Sequence, residues 1–314
     1  MKTKSYLILA AAALTMGSCD SSDGFDPNAP VAAQVTAGVS GPATRAMDDV
    51  WEADEIGVMV TDAPNSDMET MYRNVRYATT ATTASAANFS SDAPVYFEDA
   101  TEVVTFSAYG PYQPALGADG KVAVNTAAQG TRDAQRAFDF IYASGAKASK
   151  SQPVVEFKKV SEDENHQFAH RMTRLVIIVK AGDGITLAQV KAAAITLGGL
   201  AHEGTFDVTS GAATATGSAV ADWTLSANSL RAETDNDVTF TSILLPQTLA
   251  AALTFKATVD GNNFVNSDAI NPALKAGTTY TYTITVKKTG LEVSGCSIEP
   301  WSDGGSGSGN AELQ

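Results

Sequence analysis

Thr279-Tyr280-Thr281-Tyr282-Thr283-Ile284-Thr285-Val286-Lys287 decides the fold class. Tyr280, Tyr282, Ile284 and Val286 share one parity, and the threonines share the other. Successive side chains of a strand point to opposite faces, so this segment is a strand with one apolar face. A helix would space its apolar residues three and four apart. Short apolar runs recur outward from here between turn-forming clusters. Expected strands are Ile56–Thr61, Met71–Tyr77, Val103–Tyr109, Phe138–Ala143 and Val154–Val160. A second set is Phe168–Lys180, Ala192–Leu197, Gly204–Val208, Val238–Leu245, Ala252–Val259 and Leu291–Ile298. Asp260-Gly261-Asn262-Asn263 is a hairpin signal between two strand patterns. Helix signals are sparse. Residues 186–194 (TLAQVKAAA) read either as two helical turns or as the lead into a strand. The stretch Ala78–Ala87 holds too many β-branched threonines for a helix. The fold class is all-β, built as sandwiches.

The polar stretch Ser161-Glu162-Asp163-Glu164-Asn165 reads as an internal boundary between two strand-rich halves. This gives an N-terminal sandwich over 46–162 and a C-terminal sandwich over 163–314 with a Gly- and Ser-rich tail. No strict short-period repeat is present, which sets solenoids and propellers aside. Residues 20–30 (DSSDGFDPNAP) read as a tether. Val31, Ala33, Val35, Ala37 and Val39 then share one parity, the mark of a further strand over 31–39. A loop with a single arginine, Arg45, leads from there to Trp51 and the apolar strand after it.

Residues 1–18 have the layout of a secretion signal. Lys2 and Lys4 precede an apolar run, Tyr6–Leu14, that is too short to span a bilayer, and Gly17 and Ser18 supply a small-residue cleavage site. Cys19 follows where a lipid-modified cysteine would stand, although Met16 replaces the usual Leu, Val or Ile of a lipobox. Acyl chains on Cys19 bury methylenes at ~0.8 kcal/mol each, enough in number to hold a protein on a membrane durably. The plainer alternative is an ordinary secretory signal beside a coincidental cysteine. Residues 19–45 are then a lipidated propeptide and tether. The net charge of −14 opposes binding to nucleic acid or to anionic lipid surfaces. With Cys19 acylated, Cys296 has no partner in the chain and reads as a small packed residue of a strand.

Chemistry-bearing clusters are missing. The three histidines are His166, His170 and His202. His166-x-x-x-His170 has the spacing of half a zinc site, but no second pair accompanies it and it lies at a strand start. Gly-x-Ser-x-Gly, His-Glu-x-x-His and P-loop patterns are absent from the sequence. Glu162, Asp163 and Glu164 form a run of like charge that reads as a solvated loop. The expectation is a chain that is not an enzyme, with no cofactor and no metal site. Trp51, Trp223, Trp301, Tyr109 and Tyr112 are aromatic candidates for stacking on a glycan, and core packing is their commoner use in β proteins.

Across nearly its whole length the chain resembles the fimbrillin family, the type V pilins and fimbrillin-like outer-membrane lipoproteins of Gram-negative bacteria. The resemblance rests on the lipobox, then Thr44-Arg45-Ala46, then Trp51-Glu52-Ala53-Asp54-Glu55-Ile56-Gly57-Val58. Phe106-Ser107-Ala108-Tyr109-Gly110-Pro111-Tyr112 and Phe168-Ala169-His170-Arg171-Met172-Thr173-Arg174-Leu175-Val176-Ile177 follow in order. Gly204-Thr205-Phe206-Asp207, Leu245-Pro246-Gln247, the Gly277–Ile284 strand and Ile298-Glu299-Pro300-Trp301 complete it.

The resemblance implies two transthyretin-like β-sandwich domains and a structural role in a surface fimbria that contributes to adhesion. It implies export as an outer-membrane lipoprotein with palmitate on Cys19, then cleavage by an Arg-specific protease between Arg45 and Ala46. The strand of Val31, Ala33, Val35, Ala37 and Val39 would be displaced, and a strand of a neighbouring subunit, self or related, would fill its place by β-strand addition. The tail after Trp301 holds only Ala311 and Leu313 as apolar anchors, which makes a poor donor strand. The alternative is therefore a lipid-anchored tip or accessory adhesin that binds a host glycan or protein without polymerising.

Overall fold

A computed structural model describes residues 29–38, 51–82, 84–161, 164–266 and 273–301. Strands β1 (Val31–Ala32) and β2 (Gln34–Gly38) precede β3 (Glu55–Asp62), the helical turn α1 (Met68–Met71) and β4 (Val75–Ala78). Next come β5 (Ala86–Phe89), β6 (Tyr96–Phe97), β7 (Val103–Gly110) and β8 (Lys121–Asn125). Helix α2 (Arg132–Arg136) leads to β9 (Ile141–Ser149), β10 (Val154–Phe157) and β11 (Ala169–His170). The chain continues with β12 (Thr173–Ala181), α3 (Leu187–Ala192), β13 (Ala194–Gly198), β14 (Glu203–Asp207) and β15 (Ala212–Ala215). Then follow β16 (Trp223–Thr224), α4 (Leu225–Asn228), β17 (Leu230–Glu233), β18 (Asp237–Leu244) and β19 (Gln247–Thr248). Last are β20 (Thr254–Val259), β21 (Asn262–Asn266), β22 (Ala273–Leu274), β23 (Thr278–Lys287) and β24 (Gly290–Pro300). No described helix is long and apolar enough to cross a membrane.

The fold is all-β. In the first half, the five-stranded sheet β11-β9-β7-β3-β4 and the three-stranded sheet β10-β2-β5 share one core, drawn from residues between Ala33 and Phe168. In the second half, β17-β18-β12-β23-β24 and β16-β13-β20-β21 share another, drawn from residues between Leu175 and Val286. The alternation of β23 is realised: Tyr280, Tyr282, Ile284 and Val286 are buried in that core. Asp260 and Gly261 both take positive φ, +49° and +80°, and close the β20–β21 hairpin. Two successive left-handed residues are what a tight hairpin turn needs.

A third cluster joins the halves. Met59, Tyr109, Phe138, Phe140 and Tyr142 meet Phe206, Val208, Ile243, Leu245 and Trp301 there. Strand β8 pairs with β14 from the second half, and Phe140 stacks on Phe206 at 4.2 Å. Gln129 works as a hydrogen-bonding clamp across this joint. Its Nε2 donates to Ile243 O at 2.8 Å and to Thr126 O at 2.6 Å, and its Oε1 accepts from Ile243 N at 2.6 Å. A carboxamide thereby pairs with the backbone of β18 as a strand neighbour would.

Several expected strands are corrected. Met71–Tyr77 is a strand only from Val75, where β4 starts; Met71 instead ends the helical turn α1, in which Met68 is buried. Phe138–Ala143 loses its first three residues, because α2, capped by Thr131, feeds Phe138 and Phe140 into the joint before β9 begins. Phe168–Lys180 is broken at Arg171, whose N–H bonds to Phe140 O at 2.8 Å. Helix α3 takes 187–192, fixed by a reciprocal Thr186–Gln189 capping box, so the strand after it starts at Ala194.

Gln129→Ala should leave the buried N–H and C=O of Ile243 without that partner, at about 1–3 kcal/mol for each stranded group. Chemical denaturation should show a loss of that order, and an unchanged midpoint would contradict the clamp. His202 gives a pH test. It is buried, its Nδ1 lies 3.0 Å from Thr126 Oγ1, and burial pushes its pKa from 6.5 down to about 4. Between those values the unfolded chain binds a proton that the folded chain refuses. The stabilisation is therefore present above pH 6.5 and is lost as pH falls towards 4. At about 1.4 kcal/mol per unit, this amounts to roughly 3 kcal/mol. Denaturation midpoints measured across this window should fall less in His202→Gln than in the parent chain.

Candidate functional site: the buried N-terminal strand

Strand β2 is inserted between two partners that are remote in sequence. On one side it pairs antiparallel with β5, Val35 opposite Phe89 and Ala37 opposite Ala87. On the other it pairs parallel with β10, Val35 opposite Val155 and Ala37 opposite Phe157. No tight turn ties it to either neighbour. Its N-terminal extension β1 pairs with β6, Val31 opposite Phe97, and Ala33 N donates to Val95 O at 2.8 Å. Ala33, Val35 and Ala37 point inward and are 5%, 2% and 2% exposed. Val31 is half-buried, and Gln34 and Thr36 face outward, Gln34 exposed and Thr36 half-buried. Cys19, Val39, Arg45 and Ala46 lie outside the described residues.

The floor beneath β2 is aromatic. Trp51 packs edge-on against Phe89 of β5 at 4.9 Å and against Phe168 at 5.4 Å. Phe168 in turn lies 5.5 Å from Phe157 of β10. Rings therefore run without a break from one flanking strand to the other. Trp51 Nε1 donates to Ala37 O at 3.0 Å, and Phe168 N donates to Gly38 O at 3.3 Å. At the other end Tyr77 holds the wall: its hydroxyl accepts from Val95 N at 3.0 Å, and burial pushes its pKa to about 12.

The chain is pinned firmly where it re-enters the fold. Trp51 N donates to Ala84 O and Ala53 N to Ala81 O. Arg136 reaches across to Glu52 Oε2 at 3.1 Å, Glu52 O at 3.1 Å and Asp54 Oδ1 at 3.0 Å. Besides the Trp51 and Phe168 bonds to β2, residues from Trp51 onward are thus also held by contacts that do not involve it.

The other candidates take structural places. Trp51, Tyr109, Trp223 and Trp301 are buried, so they form no glycan platform, and Tyr112 alone of that set is half-exposed. His170 is buried against Asp139 at 3.1 Å and stacks on Trp301 at 4.1 Å. His166 instead bonds to Ser144 O and Glu164, so the two histidines of the half zinc site do not converge. Among the described residues no cluster of His, Cys, Asp and Glu is arranged to hold a metal. No sequence signal marks Phe89, Phe157 and Phe168 as floor residues of a site, because isolated phenylalanines carry no spacing pattern.

Comparison with known proteins agrees with this architecture. A family model described as Fimbrillin-like matches residues 44–301. Over 330 aligned residues, 99% of this chain and 100% of the relative, the chain is 32% identical to Fim1C of Bacteroides uniformis, named as a candidate fimbrium subunit. A crystal structure of a candidate cell adhesion protein from Bacteroides uniformis is 28% identical with a TM-score of 0.66, covering 88% of this chain and 100% of that one. Another, from Bacteroides ovatus, shares the fold at 24% identity and a TM-score of 0.67, covering 87% and 98%. The chain belongs to the fimbrillin-like family.

Proposed function

We propose that the protein is a subunit of a surface fimbria, and that β1 and β2 are a placeholder removed at maturation. The observation that carries this reading is the position of β2. It comes from residues 34–38, far in sequence from both partners, yet it is the middle strand of its sheet. Everything else in the first core is contributed by Trp51 and later residues. A cut after Arg45 separates the two parts. The body keeps its Arg136 anchor, and the short segment is held by backbone pairing and three small inward side chains. Full burial of a side chain such as Val35 is worth roughly 1.5–3 kcal/mol. That is enough to keep the precursor closed and small enough for another strand to replace.

Once β2 leaves, β5 and β10 face each other with unpaired edges over an apolar floor. Exposed edges of this kind recruit a strand from another chain. Export as a lipoprotein acylated at Cys19 and passage to the outer membrane belong to the same reading, since an anchor upstream of Arg45 is shed by the same cut. The alternative within this reading is a tip or accessory position, in which the subunit accepts a strand and donates none; there it would also meet a host glycan or protein. Apart from Ser294 at the register shift, β24 is already paired with β23 in the precursor.

Limited trypsin treatment of the folded precursor, followed by N-terminal sequencing, should give Ala46 first. Assembly with partner subunits should begin only after that cut. Arg45→Ala should stay closed and unassembled; its efficient assembly would overturn the maturation reading. Cys19→Ala should be lost from the membrane fraction or accumulate as precursor, and unchanged fractionation and mass would remove the lipid anchor.

A further inference from the structure

The three inward residues of β2 and the residue before it are small, β-branched and small: Ala33, Val35 and Ala37. The architecture beneath them explains the sizes. Ala37 stands opposite Phe157, and its carbonyl accepts the hydrogen bond of the Trp51 indole. Trp51, Phe157 and Phe168 are all fully buried in this core. A larger side chain at position 37 has to displace rings that already pack on one another. Ala33 is held against Val95, and its neighbours Val95 and Phe97 are buried at 0% and 1%. Interiors are close-packed, and added methylenes force strain rather than fill space.

The chain's own last strand has a different shape. Its register with β23 shifts between Thr283 and Ile284. Leu291 and Val293 before the shift, and Ile298 after it, therefore stand opposite Val286, Ile284 and Tyr280 on one face. In a straight groove Ile298 has the opposite parity from Leu291 and Val293, so the three cannot point inward together. Centring Val293 in the place of Val35 puts Leu291 in the place of Ala33. Centring Ile298 there puts Pro300 in the place of Ala37, without a backbone N–H for the ladder.

Building on the exchange reading above, we propose that the groove selects its occupant by size. It takes a strand with small, β-branched and small residues at alternate positions, supplied by a different kind of subunit, and it rejects β24 of its own chain. Ala33, Ala37, Trp51 and Phe157 are the specificity-determining positions.

The test uses the full chain, with a rare-cutting protease site placed between residues 43 and 46 so that the nick does not depend on Arg45. The nicked protein is incubated with excess fluorescent peptides, and the label that co-elutes with it is measured. The probes are residues 30–39, the same peptide with Ala37→Leu, the same with Thr36→Leu, and residues 290–300. Residues 30–39 and the Thr36→Leu peptide should be incorporated equally, because position 36 faces outward. The Ala37→Leu peptide and residues 290–300 should be incorporated at least tenfold less. Equal uptake of the Ala37→Leu peptide would overturn size selection while leaving strand exchange intact. Equal uptake of residues 290–300 would overturn the rejection of the chain's own strand. Failure of residues 30–39 themselves to enter would overturn the exchange reading and this inference together.

Discussion

The first half of the molecule depends on backbone pairing of residues 34–38 on two sides at once. A strand at the middle of a sheet satisfies the N–H and C=O groups of both neighbours as well as its own, and buried backbone groups without partners are costly. Here that middle strand is contributed by residues 34–38, remote in sequence from both partners, parallel to one neighbour and antiparallel to the other. A hairpin strand would be tied to its partner by a turn and could leave only by dragging that partner along. With 47 residues between Gly38 and Ala86 and no turn to either side, departure of β2 in the proposed exchange would not drag β5 or β10 with it. The same placement makes it necessary, since the floor of Trp51, Phe89, Phe157 and Phe168 is covered only while some strand lies there.

The second constraint is the joint between the halves. The proposed exchange at one sheet would serve a fibre only if the rest of the subunit stays folded. The joint is built from parts that do not share residues with the groove: the Gln129 clamp on Ile243, the β8–β14 ladder, the Phe140–Phe206 stack and the His170–Trp301 stack. Trp301 closes β24 onto the first half, and its backbone N–H also bonds to Gly277 O at 2.6 Å. Arg136 stands between the two systems. Its helix follows Gln129 by a few residues, and its guanidinium fixes the Glu52–Asp54 stretch beside the groove.

Much of this was legible in the sequence where one physical rule dominates. Period-two alternation found β23 and the parity of Ala33, Val35 and Ala37, because a strand with one wet face leaves no other pattern. Asp260-Gly261 announced its hairpin, because few residue pairs tolerate two left-handed conformations in succession. The failures lie where tertiary contacts outvote local pattern. Met71–Tyr77 looks like a strand, yet burial of Met68 winds its start into a turn. Phe138 and Phe140 look like a strand start, yet they are plugs for the joint. The clamp was invisible because a single glutamine has no spacing to read, and its function comes from a backbone 114 residues away. The aromatic floor was half visible: Trp51 and Phe168 sit in segments that marked the family resemblance, while Phe89 and Phe157 do not.

The central claim is that the space between Ala86–Phe89 and Val154–Phe157 is held first by the chain's own strand and later by another's. Electron cryomicroscopy of assembled fibres, at a resolution that traces side chains, tests it directly. The strand in that space should trace to a neighbouring subunit, with residues 31–38 absent from the fibre. Residues 34–38 still lying between those two strands in an assembled subunit would contradict the account.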